Sequence, residues 1–293
     1  MKEKRNMKVL EAVLIDWTDE TDEPPGWLPE KLDNDGIKYV VARSLTKEAL
    51  VENAGSADAI VTAGHRRLMV IENMAVLPIL KAIIKLGSGV DNIDVKAATE
   101  LGILVINTPD GLTDSVSEHT IAMMLTAVRQ ISRQNSLVRQ GVWKINSARP
   151  GRLLKGATVG LIGFGRIARS VVRKLSGFEM KFIAYDPYIE PKIMEENGMT
   201  PVELPRLLSL SDFVLIHCPL TETTRHLLAE DELKLMKSTA ILVNTSRGQV
   251  IDEQSLYHAL KENWIAGAAL DVLEKEPPDQ SNPLFKLDNV ILT

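Results

Sequence analysis

The sequence predicts an α/β protein built from two doubly wound, parallel sheets. Three observations predict it. Short apolar runs of strand length alternate with segments of helical spacing along the chain. One such alternation, residues 157–186 (ATVGLIGFGRIARSVVRKLSGFEMKFIAYD), places a glycine turn between strand and helix and an acid at the end of the second strand. The composition, 45% hydrophobic and 25% charged over 293 residues, is that of an ordinary globular chain long enough for one or two domains.

The first apolar run, VLEAVLI at 9–15, follows basic residues and superficially resembles a signal peptide. Glu11 and Asp16 interrupt it and no small-residue cleavage site follows, so it reads as a first strand. IKYVVA (37–42), ADAIVTAG (57–64), LKAIIKLGSG (80–89) and ILVINTP (103–109) read as four more strands, with helical spacing at Thr46–Asn53 and Asn92–Glu100. Leu112–Arg139 reads as one long amphipathic helix, with Ile121, Met124, Leu125, Val128 and Ile131 on its apolar face and Thr113 or Asp114 as its cap. Residues 140–156 read as a loop. Beyond Asp186, strands are expected at SDFVLIHC (211–218), TAILVNTS (239–246), AGAALDV (266–272) and NVILT (289–293), with helices at Glu203–Leu208, Glu230–Met236 and Glu253–Glu262. The domains expected are therefore 1–110 and 111–293.

Residues 157–186 carry the clearest chemistry. Gly163 permits a tight turn, Gly165 has no Cβ to block a pyrophosphate from backbone N–H groups, and Ala168 lets the helix pack close to the strand. The helix N-terminus offers unpaired donors and partial positive charge to phosphates. Asp186, 23 residues after Gly163, can accept from both hydroxyls of an adenosine ribose. Pro187 and Tyr188 follow it, without Arg or Lys to neutralise a 2′-phosphate, so NAD is expected over NADP. In a doubly wound sheet ligands bind outside the strands' carboxyl ends. Those ends carry Asp186, His217-Cys218-Pro219, Thr245-Ser246-Arg247 and Asp271.

Other classes fit poorly. The net charge is −5 and the basic residues are scattered, which argues against nucleic acid or an anionic membrane as partner. No run approaches a membrane span. A single cysteine, Cys218, excludes an intrachain disulfide and a cysteine-based metal site, and fits a reducing, cytoplasmic setting.

Six stretches in order, GSGVDNID (87–94), NTP with VSEHT (107–109 and 116–120), GLIGFGRIA (160–168), HCPLTETTRHLL (217–228), NTSRGQVID (244–252) and ALDVLEKEPP (269–278), resemble the D-isomer-specific 2-hydroxyacid dehydrogenase family from about residue 60 onward. The resemblance implies a flavodoxin-like substrate domain, a Rossmann NAD-binding domain and a homodimer. It also implies hydride transfer between NAD and a small D-2-hydroxy or 2-keto acid. Arg247 matches the family's arginine, whose planar fork can hold a carboxylate and polarise the keto oxygen. Glu276 matches the glutamate that favours a protonated histidine. By the same resemblance Gly87, Ser88 and Gly89 form an anion nest for the substrate with Arg247, and Ser88 reaches the nicotinamide side. Arg166 and Ile167 lie over the pyrophosphate, Cys218, Pro219 and Thr224 contact the adenosine side, Thr245 and Ser246 line the cofactor floor, and Asp271 accepts from the nicotinamide carboxamide. No metal is expected.

The sequence departs from the family pattern in two places. The family's histidine follows the NVILT strand in a Pro-His pair; the sequence reaches Thr293 first, and none of its five histidines matches. A longer dehydrogenase chain is therefore expected. His217 reads as a local hydrogen-bonding group, His119 as packed on its helix, and His65, His226 and His258 carry no motif. The run Asp110-Gly111-Leu112-Thr113-Asp114 replaces the family's GxN and resembles the glyoxylate and hydroxypyruvate reductase branch more than the phosphoglycerate branch. His65-Arg66-Arg67 is either a site for a distal anion or a solvated helix start. The rival reading is a non-catalytic NAD(H)-binding sensor, corepressor-like, on the same scaffold. The retained Arg247 and Glu276 speak against it, and the unmatched histidine for it.

Overall fold

Buried strands with crossover helices account for nearly every element of the computed structural model, which describes residues 11–15, 24–42, 46–64, 69–143 and 152–293. The chain divides into two compact units, 1–112 and 113–293.

The first unit contains β1 (Glu11–Ile15), α1 (Trp27–Asn34), β2 (Lys38–Ala42), α2 (Lys47–Ala54), β3 (Ala59–Thr62), α3 (Ile71–Met74), β4 (Ala82–Lys85), α4 (Val95–Glu100) and β5 (Leu104–Asn107). The strands pair in parallel in the order β2-β1-β3-β4-β5, the flavodoxin-like winding. Position in the sheet explains burial. Central β3 is buried along its whole length, whereas edge strands β2 and β5 are partly exposed. Thr46 Oγ1 accepts from Ala49 N at 3.2 Å and Asp94 Oδ1 from Ala97 N at 2.9 Å, capping α2 and α4. Lys85, inside an apolar run, is buried and donates to Ala63 O at 2.6 Å and to Gly64 O. His65-Arg66-Arg67 lies outside the described residues.

The second unit contains α5 (Thr113–Arg129), α6 (Ile131–Arg139), β6 (Thr158–Ile162), α7 (Arg166–Leu175), β7 (Lys181–Tyr185), α8 (Pro191–Glu196), β8 (Thr200–Pro201), α9 (Leu204–Leu210), β9 (Phe213–Ile216), α10 (Glu230–Leu235), β10 (Ile241–Asn244), α11 (Glu253–Lys261), β11 (Gly267–Leu270) and β12 (Val290–Leu292). Its seven strands are parallel in the order β12-β11-β10-β9-β6-β7-β8, the doubly wound dinucleotide-binding order extended by one strand. The winding reverses between β6 and β9, so the crevice for a ligand opens at their carboxyl ends.

Three expectations change. The long helix breaks at Gln130, which takes a left-handed φ of 52° between α5 and α6. Burial ends at the same point: α5 buries Met123, Met124 and Val128, while α6 buries nothing. Asp114 does more than sit in the first turn of α5. It pairs with Lys174 Nζ of α7 at 3.0 Å, and that ammonium lowers its pKa. The third change is β8, whose two residues Thr200-Pro201 are too short to show a period, and proline is confined to such sheet edges.

Candidate active site

The loop after β6 sits at the switch point, and its two glycines have different reasons to be glycine. Gly163 has φ +91°, and a Cβ there would come within 2.7 Å of Cys218 N and 2.8 Å of His217 C, at the end of β9. Gly163 is thus required by the protein's own backbone. Gly165 has ordinary φ, and a Cβ there would meet nothing within 4 Å. It is the glycine that faces open space at the N-terminus of the ten-residue α7. Phe164 between them is fully buried; Asp186 Oδ2 accepts its N–H at 2.9 Å, and Arg169 Nε donates to its carbonyl at 3.2 Å. Arg166 is exposed at the first position of α7, and Ile167 packs partly on the core.

Asp186 is held from both sides. Oδ2 takes the Phe164 N–H and Oδ1 takes the Tyr188 N–H at 2.9 Å. Each oxygen keeps a second acceptor position, so the carboxylate is oriented and still able to take two hydroxyl donors.

The end of β9 carries His217, Cys218 and Pro219. His217 is not the local hydrogen-bonding group expected from sequence. Its Nε2 is buried and finds no partner among the described residues, and burial pushes its pKa down to about 4. A buried polar atom without a partner costs roughly 1–3 kcal/mol, a pattern typical of a site that a ligand completes. The Cys218 side chain lies in the core and burial pushes its thiol up to about 11, so its contribution at the rim is backbone: its carbonyl accepts from Ser246 Oγ at 2.6 Å. Thr224 Oγ1 donates to Pro219 O at 2.6 Å and accepts from Thr221 N at 2.7 Å, which shapes the turn 219–224.

The β10 end is organised by Asn244, which the motif reading had not singled out. Fully buried, its side chain accepts from Ser246 N at 3.0 Å and donates to Arg247 O at 2.9 Å, wrapping the Thr245-Ser246-Arg247 turn. Thr245 Oγ1 lies 2.8 Å from Thr120 Oγ1 of α5. Arg247 is half-buried and its Nη1 donates to Ser246 O at 2.8 Å. Gly248 was also missed. A Cβ there would fall 1.9 Å from Leu273 O and 2.5 Å from Glu274 N, so this glycine lets the arginine turn press against the segment that carries Glu276. Glu276 is exposed, and its Oε1 accepts from Leu273 N at 3.0 Å.

That segment is pinned beside Glu276. His226, in a left-handed conformation, places Nε2 2.6 Å from Glu274 Oε1 and Nδ1 3.7 Å from Asp252 Oδ2. Gln249 Nε2 donates to Glu274 O at 2.7 Å, and Asn282 Nδ2 to Glu253 Oε1 at 2.7 Å. His226 thus has a clear structural role. His119 is not simply packed on its helix: it reaches the β11 end, with Nε2 3.2 Å from Asp271 Oδ1.

In the first unit, Gly87 has φ +130° and its N–H is donated to Thr108 Oγ1 at 2.8 Å. Of the three N–H groups expected to form an anion nest, that of Gly87 is thus used within its own unit. Asn107 Nδ2 donates to Ser88 O at 2.8 Å and fixes the loop. Among the described residues, no cluster of His, Cys, Asp and Glu is suited to hold a metal ion, and no helix is long and apolar enough to cross a membrane.

An open glycine at a helix N-terminus after β6, an oriented acid after neighbouring β7 and an orphaned imidazole nitrogen after β9, on the other side of β6, fit a dinucleotide, so the second unit is a dinucleotide-binding α/β domain. The chain belongs to the D-isomer specific 2-hydroxyacid dehydrogenase family, whose NAD binding domain matches residues 121–293, and its cofactor is NAD(P). It is 44% identical over 274 residues to D-3-phosphoglycerate dehydrogenase of Methanocaldococcus jannaschii, covering 90% of this chain and 51% of that one. With glyoxylate reductase of Korarchaeum cryptofilum it shares 42% over 251 residues, covering 84% and 75%. The chain thus spans about half the length of the first relative, and relatives from both branches match at similar identity. The crystal structure of D-lactate dehydrogenase from Aquifex aeolicus, complexed with NAD and lactic acid, superposes with a TM-score of 0.84 at 29% identity, covering 96% of this chain and 87% of that one.

Proposed function

We propose that the protein is an NAD-dependent D-2-hydroxyacid dehydrogenase that reduces a small 2-keto acid of the glyoxylate, hydroxypyruvate or phosphohydroxypyruvate type, or oxidises the matching hydroxy acid. The observation that carries the reading is the contact at Gly248, which brings the Arg247 turn and the Glu276 segment together on the rim that also holds Gly165 and Asp186.

Gly165, Arg166 and the first turn of α7 hold the pyrophosphate through backbone N–H groups, and Asp186 takes the adenosine ribose. A 2′-phosphate would face the Asp186 carboxylate, so NAD is favoured over NADP. Pro219 and Thr224 shape the adenosine side, with Cys218 acting through its backbone. Thr245 and Ser246 form the floor, and Asp271 accepts from the carboxamide. When bound, the cofactor supplies or receives the hydride.

Arg247 presents a planar, permanently charged fork to the substrate carboxylate and to the keto oxygen on which negative charge develops. Glu276 keeps Oε2 to stabilise a protonated partner that hands its proton to that oxygen. In the first unit, the N–H groups of Ser88 and Gly89 form an anion nest for the substrate. Resemblance to the family supports a homodimer, and the single cysteine fits a reducing cytoplasm.

The test is oxidation of NADH by the full-length protein with glyoxylate, hydroxypyruvate, pyruvate and 3-phosphohydroxypyruvate, each repeated with R247K and E276Q. Turnover of at least one keto acid is expected, reduced about 100-fold or more in R247K, because lysine cannot replace a two-pronged contact. Tight NADH binding without turnover of any of the four would overturn this reading and favour a sensor.

A further inference from the structure

Three acids at strand ends of the second unit, two of them on the rim, are held in three different ways. Asp212, at the amino end of β9, is held on both oxygens: Oδ1 meets Arg152 Nη2 and Lys237 Nζ, each at 2.8 Å, and Oδ2 takes the Thr158 N–H at 2.9 Å. Asp186 takes one backbone N–H on each oxygen. Asp271 is lopsided. Both of its contacts fall on Oδ1, from Thr293 Oγ1 at 2.8 Å and His119 Nε2 at 3.2 Å, and among the described residues Oδ2 has none.

The hydrogen positions in this triad follow from the distances. His119 Nε2 is also 3.1 Å from Thr293 Oγ1. The threonine has one hydrogen to give, and a carboxylate oxygen only accepts. If Nε2 accepted, it would face the carboxylate with two lone pairs opposed. Nε2 therefore carries a hydrogen, shared between Asp271 Oδ1 and Thr293 Oγ1, while the hydroxyl hydrogen goes to Oδ1. The next residue on α5 repeats the reach: Thr120 Oγ1 meets Thr245 Oγ1 at 2.8 Å and is itself tied to Val116 O at 2.8 Å. Two successive residues of one buried helix thus brace two successive strand ends of the rim. Neither His119 nor Asp271 is buried, at 40% and 39% side-chain exposure, so core packing does not account for the pair.

We propose that His119 is a positioning residue for the nicotinamide end of the cofactor. With Thr293 it locks Asp271 by Oδ1, leaving Oδ2 to accept the carboxamide N–H. This rests on the proposed role of Asp271. A carboxylate turned about its Cβ–Cγ bond would offer the carboxamide a poorly aimed acceptor, and the brace removes that freedom.

The test compares two ligands that differ at the nicotinamide end. Isothermal titration of the full-length protein with NADH and with ADP-ribose, which lacks the nicotinamide, is run on wild type, H119L and H119Q. In H119L, NADH is expected to bind about tenfold more weakly, the scale of one lost hydrogen bond to a charged group, with ADP-ribose within about twofold of wild type. H119Q, which keeps an N–H donor, is expected to regain most of the loss. If NADH and ADP-ribose weaken together in H119L, His119 serves only to hold α5, and the proposal fails. Unchanged NADH binding in H119L overturns it equally. If wild type itself binds NADH no more tightly than ADP-ribose, the role of Asp271 falls and takes this proposal with it; failure in H119L alone leaves that role standing.

Discussion

The two units fasten the amino ends of their sheets alike and finish the carboxyl ends differently. In the first, Asp58 ahead of β3 accepts from Glu11 N at the start of β1 and pairs with Lys81 ahead of β4. In the second, Asp212 ahead of β9 accepts from Thr158 N at the start of β6 and pairs with Lys237 ahead of β10. The same short motif, an acid before a buried strand, staples three adjacent strands in each sheet. At the other end the first unit offers a loop at Gly87–Gly89 fixed by Thr108 and Asn107, while the second offers an open glycine, an oriented acid and a charged arginine turn. The lesson is that the staple belongs to the winding and the rim belongs to the chemistry.

The largest effect that would break this division is at Gly163. Alanine there meets backbone on the β9 side and must adopt a left-handed φ. G163A should cost about 3 kcal/mol or more, read as a fall in thermal midpoint of the full chain. Unchanged stability would mean the glycine serves the ligand alone.

His217 sharpens the contrast through pH. Its folded pKa is about 4, below the ordinary 6.5, so the unfolded chain binds more protons between those values. The stability this gives is complete above pH 6.5 and is lost as the pH falls toward 4, by roughly 3 kcal/mol at most. Urea melts at pH 4.5 and 7 should show this slope in wild type and a flatter one in H217N. A parallel slope would place the proton elsewhere.

The two staples should differ in degree. Asp212 is nearly buried between two cations, and its pKa is lowered by Lys237, the Thr158 N–H and Arg152 against the opposing effect of burial. Its contribution is present above the ordinary carboxylate pKa and is lost as pH falls through the lowered folded value. D212N should cost about 2 kcal/mol and D58N about 1, because Asp212 lies between two cations at 2.8 Å while Lys81, which pairs with Asp58, is half-exposed. Equal losses in thermal or urea melts would contradict the ranking. A further effect is expected on cofactor choice. D186N removes the charge and turns one of the two acceptor oxygens into an NH2 donor, so the preference for NADH over NADPH should shrink about tenfold in binding titrations.

Much of this was legible in the sequence because buried parallel strands read as apolar runs and the glycine turn has a fixed spacing. The alternation of strands and helices makes the helices crossovers between parallel strands, while the strand order in each sheet came from the structure. What stayed hidden was tertiary. The motif assigns the tight turn to Gly163 and the open approach to Gly165, but the close backbone of His217 and Cys218 against Gly163 appears only in the structure. Asn244 and Gly248 sit inside a quoted motif, yet their roles appear only when Ser246, Arg247 and Leu273 are placed around them. The break at Gln130 marks where α5 runs out of partners, which a helical period cannot report. His119 and His226 lie inside quoted stretches, yet their contacts are not legible there, since their carboxylate partners lie 152 and 48 residues away.

The most direct test of the central claim is the affinity of ADP-ribose for G165V, by titration calorimetry on the full chain. Gly165 has open space around its missing Cβ and an ordinary φ, so valine should leave the thermal midpoint within about 2 °C of wild type while weakening ADP-ribose about 100-fold by blocking the pyrophosphate from the backbone. A folded G165V that binds ADP-ribose as tightly as wild type would contradict the assignment of this loop to the cofactor.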